Sequence, residues 1–298
     1  MNNVIMALCD ENEVYCARLS EYLRSHLSLG FEIHSFTDIG ILESFSRTNE
    51  ISLLVISEKS MSALEALGEK ENYKNILVLE EGSKYRPAGV ILERIAQFCA
   101  EKSDDFRELY YRGGAESSTV LGFFTPASGL GQTSLCLKMG KELAESKKTV
   151  LLSFESFSAL SMTLSPEADE DITDLIYHAE CDRENFCLYL EKIKRSFEGF
   201  DIVPPAATAL QIREITAEKL KNLIMLLTKD AGYEYILMDI KEYPEGFFDI
   251  LGLCDTIYTL KGTSAGDVYR YDKYRQVVSA NGYEEILSKT RLVDAHAG

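Results

Sequence analysis

The sequence predicts an α/β protein of two domains, each organised around a mostly parallel sheet. Short apolar runs alternate with amphipathic stretches of helical period from Val4 onward, and alternating β and α units imply open parallel sheets. The alternation breaks once, over residues 101–118, where Glu101-Lys102-Ser103-Asp104-Asp105 is polar and Gly113-Gly114 is flexible. Such a shift marks a domain boundary. A chain of 298 residues with 46% hydrophobic content supports two cores, at roughly 100 to 200 residues per domain. The expected division is a first domain over 1–102, a linker over 103–118 and a second domain over 119–298.

In the first domain, apolar runs predict strands over 4–9, 32–36, 52–57 and 75–79, with helices over 13–27, 39–47 and 88–100. In the second, strands are expected over 120–124, 149–154, 201–203, 235–239 and 256–260. Helices are expected over 133–146, 172–178, 184–197 and 216–229, with another near the C-terminus. The tyrosines Tyr269, Tyr271 and Tyr274 on that last helix read as buried helix-face aromatics, with a partner-binding surface as the alternative.

The stretch Val120-Leu121-Gly122-Phe123-Phe124 followed by Thr125-Pro126-Ala127-Ser128-Gly129-Leu130-Gly131-Gln132-Thr133-Ser134 reads as a strand, a glycine loop and a helix start. Glycines let successive N–H groups turn inward, and the helix adds its positive end, so such a loop cradles phosphate. A working loop has the spacing G-x-x-x-x-G-K-[ST], with the lysine on the β and γ phosphates and the hydroxyl on magnesium. Here Pro126 stands at the first glycine position and Gln132 at the lysine. Nucleotide contacts are expected from Ser128, Gly129, Leu130, Gly131, Gln132, Thr133 and Ser134. An ordinary βαβ crossover with packing glycines is the alternative.

Composition narrows the partners. With 48 acidic against 31 basic residues the formal charge is −17, which repels nucleic acid and anionic lipid unless basic residues cluster. Lys147-Lys148 and Lys192-Lys194-Arg195 are short and read as solvated helix ends. Seven scattered cysteines without paired C-x-x-C spacing read as reduced thiols of a cytosolic protein. No apolar run approaches the roughly 18 residues of a membrane span, and the tail Asp294-Ala295-His296-Ala297-Gly298 is no basic amphipathic anchor. A cytoplasmic protein without direct membrane insertion is expected.

Val4-Ile5-Met6-Ala7-Leu8-Cys9-Asp10-Glu11 resembles the first strand of response-regulator receiver domains of the CheY type, with Asp10 and Glu11 at the carboxylate pair that holds magnesium. The third strand ends in Ser57 where that family carries its phosphoaccepting aspartate, and Glu80-Glu81 stand where it carries a hydroxyl. Lys84-Tyr85-Arg86-Pro87 is the nearest approach to its Lys-Pro pair. The resemblance implies an atypical receiver used for contact, with Asp10 and Glu11 as caps or relics rather than metal ligands.

The second domain resembles MinD and ParA-type P-loop ATPases. Tyr233-Glu234-Tyr235-Ile236-Leu237-Met238-Asp239 resembles their Walker B strand, and Thr149 to Glu155 the strand that ends in Asp-x-Asp, with Ser153 and Glu155 at the two acidic positions. The resemblance implies that Ser153 and Asp239 occupy catalytic and Walker B positions, and that Thr133, Glu155 and Asp239 are the candidate magnesium set. That family's signature lysine, which reaches across a dimer, corresponds to Ala127. Losses at Ala127, Gln132 and Ser153 together remove positive charge and water positioning, so the expectation is ATP or ADP binding with little or no hydrolysis.

An atypical receiver joined to a deviant Walker ATPase is the organisation of the TadZ/CpaE group of pilus-assembly and localisation proteins, which this chain resembles along nearly its whole length. The resemblance implies a homodimer that binds ATP with magnesium, marks a cell pole or pilus site, and recruits the secretion-ATPase components of a Tad or type IVb pilus, with no nucleic acid bound. Two alternatives stand beside it: an active ParA/MinD-type ATPase positioning another cargo, and a nucleotide-free interaction module.

Overall fold

The computed structural model describes residues 4–27, 29–106, 109, 115–162, 164 and 170–295. The linker expected around Gly113-Gly114 and the closing His296-Ala297-Gly298 lie outside them. Contacts divide the chain into two compact units. One comprises Met1–Arg112 with Cys187–Lys192, and the other Gly113–Phe186 with Ile193–Gly298.

The first unit is a parallel four-stranded sheet. Strand β1 (Ile5–Cys9) is buried along its whole length, as a continuous apolar run in a doubly covered sheet should be. The chain continues through α1 (Glu13–His26), β2 (Glu32–Phe36), α2 (Ile39–Ser46), β3 (Ile51–Ser57), α3 (Glu58–Ala66), β4 (Ile76–Leu79) and α4 (Ala88–Glu101). The spatial order is β2-β1-β3-β4, every neighbouring pair parallel. This is the first part of the flavodoxin-like order 2-1-3-4-5.

Side-chain caps set where these helices begin. The Asn12 side chain accepts from the Tyr15 N–H, that of Asp38 from Ile41, and that of Ser57 from Ser60. Each cap satisfies an N–H that the first helical turn leaves without a partner. Helix α1 buries Cys16, Leu19 and Leu23 at the spacing of one helical face.

The second unit holds a seven-stranded sheet. From Thr119 the chain runs through β5 (Thr119–Phe123), α5 (Gln132–Ala144), β6 (Thr149–Phe154), α6 (Ile172–Cys181), α7 (Phe186–Ile193), β7 (Arg195–Phe197) and β8 (Phe200–Val203), then α8 (Ala209–Arg213), α9 (Ala217–Lys229), β9 (Tyr235–Ile240), α10 (Phe247–Gly252), β10 (Thr256–Lys261), α11 (Ala265–Ala280), α12 (Glu284–Lys289) and β11 (Thr290–Asp294); all belong to this unit except α7, whose Cys187–Lys192 belong to the first. The order is β11-β10-β5-β9-β6-β8-β7. All pairings are parallel except the β7–β8 hairpin.

Strand β9 lies between β5 and β6. The register sets Asp239 beside Phe123 on one side and Ser153 on the other, so the carboxyl ends of three strands meet where the glycine loop leaves β5. Close packing fixes that strand: a Cβ on Gly122 would meet Cys254 Sγ at 2.5 Å.

Two expectations are corrected. The helix expected over 184–197 ends at Ile193, because Glu198 (φ 45°) and Gly199 (φ 96°) form a two-residue turn with both residues at positive φ. That geometry joins β7 to β8 as a tight hairpin. On α11, Tyr274 is buried but Tyr269 is 63% exposed and Tyr271 is half-buried, because the helix packs through Tyr274 and Val278 alone.

The described cysteines are all free. Burial pushes the thiols of Cys9 and Cys254 up to about 12 and that of Cys136 well above its ordinary value, so these three are inert packing groups at neutral pH. Among the described residues no helix is long and apolar enough to cross a membrane.

Candidate functional site

The loop after β5 is held at its root. Phe124 N–H donates to Tyr258 O (3.1 Å), Thr259 Oγ1 donates to Phe124 O (2.8 Å), and Leu260 N–H donates to Thr125 Oγ1 (3.0 Å). Beyond this anchorage the backbone turns through Gly129 (φ 76°) and Gly131 (φ 88°). A Cβ at either glycine would meet nothing within 4 Å, so the left-handed backbone, and not crowding, requires glycine there. Gly131 caps α5 without a side-chain hydrogen bond, which leaves the helix's first N–H groups to be met by something else.

The loop and helix start enclose a concavity of ≈ 480 Å³. All seven residues expected to contact nucleotide, from Ser128 to Ser134, line it, together with Glu155, Lys241 and Tyr243. Ser128, Gly129, Gly131 and Ser134 are exposed, whereas Gln132 is buried.

Gln132 turns its amide beneath the loop. Its Nε2 donates to Asp239 Oδ1 (2.7 Å), to Phe123 O (3.0 Å) and to Ile240 O (3.2 Å). The other Asp239 oxygen, Oδ2, accepts from Thr133 Oγ1 (2.6 Å). Three acceptors match the three N–H bonds of an ammonium group, whereas an amide has two. The floor of the concavity thus has the donor demand of a lysine, met by a neutral side chain.

Asp239 is fully buried. Burial raises its carboxyl above the ordinary value, against the hydrogen bonds from Thr133 and Gln132 and the nearby Lys241 charge, which lower it. Of the proposed magnesium set, Thr133 and Asp239 are brought together. Glu155 faces the same concavity but its Oε1 pairs with Lys241 Nζ at 2.5 Å, and its Oε2 accepts from Ser158 Oγ at 3.0 Å. Among the described residues no group of three or more His, Cys, Asp or Glu side chains is placed to hold a metal.

The positions at which the sequence departs from a working ATPase lie close together. Ala127 is buried and lines the concavity. Ser153 is wholly buried, and its Oγ has no hydrogen-bond partner. Sequence reasoning missed Lys241 and Tyr243. The only signal for either was its place a few residues beyond Asp239.

In the first unit, Asp10 is buried, and its Oδ1 accepts from Asn12 N–H (2.8 Å) and Lys84 Nζ (2.9 Å). Glu11 pairs with Lys59 at 2.6 Å. Ser57 Oγ contacts Ser60 Oγ at 3.0 Å besides capping α3. Both carboxylates at the end of β1 therefore have lysine partners, and the serine at the end of β3 serves as a helix cap.

Comparison with protein-family models and with curated proteins gives no match. Among solved structures, the chain is similar to a ParA family ATPase from Chlorobium tepidum, at 18% identity over 60% of this chain and 74% of that one, with a TM-score of 0.49. It is also similar to the MinC:MinD cell division protein complex of Aquifex aeolicus (18% identity, 59% of this chain and 68% of that one, TM-score 0.46). A third is a putative plasmid partition protein of Borrelia burgdorferi bound to AMPPNP (13% identity, 60% and 76%, TM-score 0.45).

Proposed function

We propose that the second unit binds ATP or ADP in the loop of residues 124–134 and hydrolyses it slowly or not at all, so that the protein works as a nucleotide-responsive localisation scaffold. The observation that carries this reading is the floor of the concavity. Gln132 spends its amide on Asp239 and two backbone carbonyls, while Gly129 and Gly131 leave an open anion-binding loop above it. Binding by backbone N–H groups survives the loss of the lysine. Acceleration of phosphoryl transfer depends on charge placed around the transferring group, and that is what is missing.

The residues fit a polyphosphate: an uncapped helix start, two left-handed glycines and the Thr133 hydroxyl face one space. Magnesium would be held by the Thr133 hydroxyl, which the buried Asp239 beneath it orients through Oδ2, with nucleotide phosphates and water supplying the remaining oxygens. It would neutralise phosphate charge. Ser153 is wholly buried and uncharged, so this chain offers no carboxylate at that position to orient an attacking water.

The finer reading places the protein in the TadZ/CpaE group: a homodimer that recruits secretion-ATPase components of a Tad or type IVb pilus to a cell pole or pilus site from the cytoplasm. In support, the four strands of the first unit follow the first part of the order 2-1-3-4-5, and the carboxylates at the end of β1 pair with Lys84 and Lys59, which suits a domain kept for contact. The charge of −17 disfavours nucleic acid as a partner. Thermal denaturation with and without Mg-ATP, beside a phosphate-release assay, tests the central part. A shift in melting temperature with background turnover is expected, and robust magnesium-dependent turnover would overturn the reading.

A further inference from the structure

We propose that Lys241 is the phosphate-binding cation of this loop, held by Glu155 until nucleotide arrives; this rests on the nucleotide-binding reading above. Both positions at which related loops carry lysine are neutral here, Ala127 and Gln132, and the Gln132 amide is committed beneath the loop. Among the described residues lining the concavity, Lys241 is the only basic one.

Its backbone is fixed at the rim. Lys241 N–H and Glu242 N–H both donate to Phe154 O, at 3.2 and 3.0 Å, which ties the end of β9 to the end of β6 and sets Lys241 beside Glu155. The four-carbon side chain is 34% accessible, free enough to swing without disturbing packing. Its present partner is a carboxylate oxygen, the nearest protein equivalent of a phosphate oxygen, and charge-assisted bonds of this kind are interchangeable in geometry. When the phosphate displaces it, Glu155 retains the hydrogen bond from Ser158 Oγ. The exchange therefore hands the Lys241 charge to phosphate and leaves Glu155, 24% exposed, to solvent and the Ser158 hydroxyl, and the affinity lost with the loop lysine is restored from the neighbouring strand end.

Opposite effects of two adjacent substitutions test this. Calorimetric titration of the full chain with ATP and with ADP, in magnesium and in chelator, compares wild type, Lys241→Met, Lys241→Arg and Glu155→Gln, with melting curves of each variant without nucleotide to verify folding. Lys241→Met should weaken binding at least about tenfold, as removal of a charged phosphate contact does. Lys241→Arg should stay near wild type. Glu155→Gln, which frees the ammonium, should tighten binding several-fold in both conditions, and it alone decides the matter if Lys241→Met does not fold. Wild type binding with Lys241→Met unchanged would overturn the inference and leave the nucleotide reading intact, and so would a Glu155→Gln that weakens binding only in magnesium. No binding by wild type of either nucleotide would overturn the nucleotide reading itself.

Discussion

Replacing Gln132 by alanine tests whether the amide holds the floor of the concavity together. The substitution removes a hydrogen bond to the Asp239 carboxylate and shared bonds to two carbonyls. Bonds to charged groups contribute about 1.5–3 kcal/mol and neutral ones about 0.5–1.5 kcal/mol. Against this stand about 1.5–2 kcal/mol of recovered side-chain entropy and water, which can enter from the open side and meet part of the demand. The net is a loss of about 1–3 kcal/mol, or a fall in melting temperature of roughly 2–12 °C for a unit of this size.

Gln132→Glu sharpens the test, since it keeps the shape but faces three acceptors with a fourth. It should be less stable than Gln132→Ala at neutral pH and recover toward it on acidification, when the new carboxyl can donate. Urea denaturation across pH measures both. If the two variants match wild type at neutral pH, the amide does not serve Asp239 and the reasoning fails.

Three further substitutions probe the frame around this site. Gly122→Ala should lose about 1–3 kcal/mol, the usual range for an overpacked core, because the new Cβ would meet Cys254 Sγ at 2.5 Å; the double variant with Cys254→Ala should regain most of it in urea titration. Asp239→Asn should stabilise the nucleotide-free protein at neutral pH. Burial raises this carboxyl above its ordinary value of 3.8, so the folded state binds more protons than the unfolded one and its ionisation cost grows as pH rises through that window. The gain of the asparagine variant should therefore vanish toward pH 3, which a series of melting curves measures. Lys84→Met leaves the buried Asp10 without its cation, and urea titration should show a loss of about 1–2 kcal/mol in the first unit, reduced by the partial exposure of Lys84 from the larger values of fully buried pairs.

Much of the framework was legible because short apolar runs such as 53–56 and 235–238, alternating with amphipathic stretches, suit buried strands. The glycine loop could be placed because its residues need a particular backbone, and that need is written in the residue type. Elsewhere the signal was local and easily passed over. Helix α3 begins at Glu58 behind the N-cap Ser57, whose reading as an empty phosphorylation position hid its role as a cap. The Glu198-Gly199 turn directly follows the segment read as a helix over 184–197, and it sets Phe197 opposite Phe200 across a hairpin.

The last strand, β11, was not among the expected elements, and its pairing with β10 is a long-range fact with no local mark. Lys241 was invisible for the same reason. Its meaning comes from Glu155, 86 positions away, and from the neutral residues at Ala127 and Gln132.

The central claim is that the loop holds nucleotide without consuming it. Incubating the protein with Mg-ATP, isolating the complex and identifying the nucleotide released on denaturation tests both halves at once. ATP should be recovered intact in stoichiometric amount after long incubation. Recovery of ADP with free phosphate accumulating over many turnovers would contradict it, and so would a complex that carries no nucleotide.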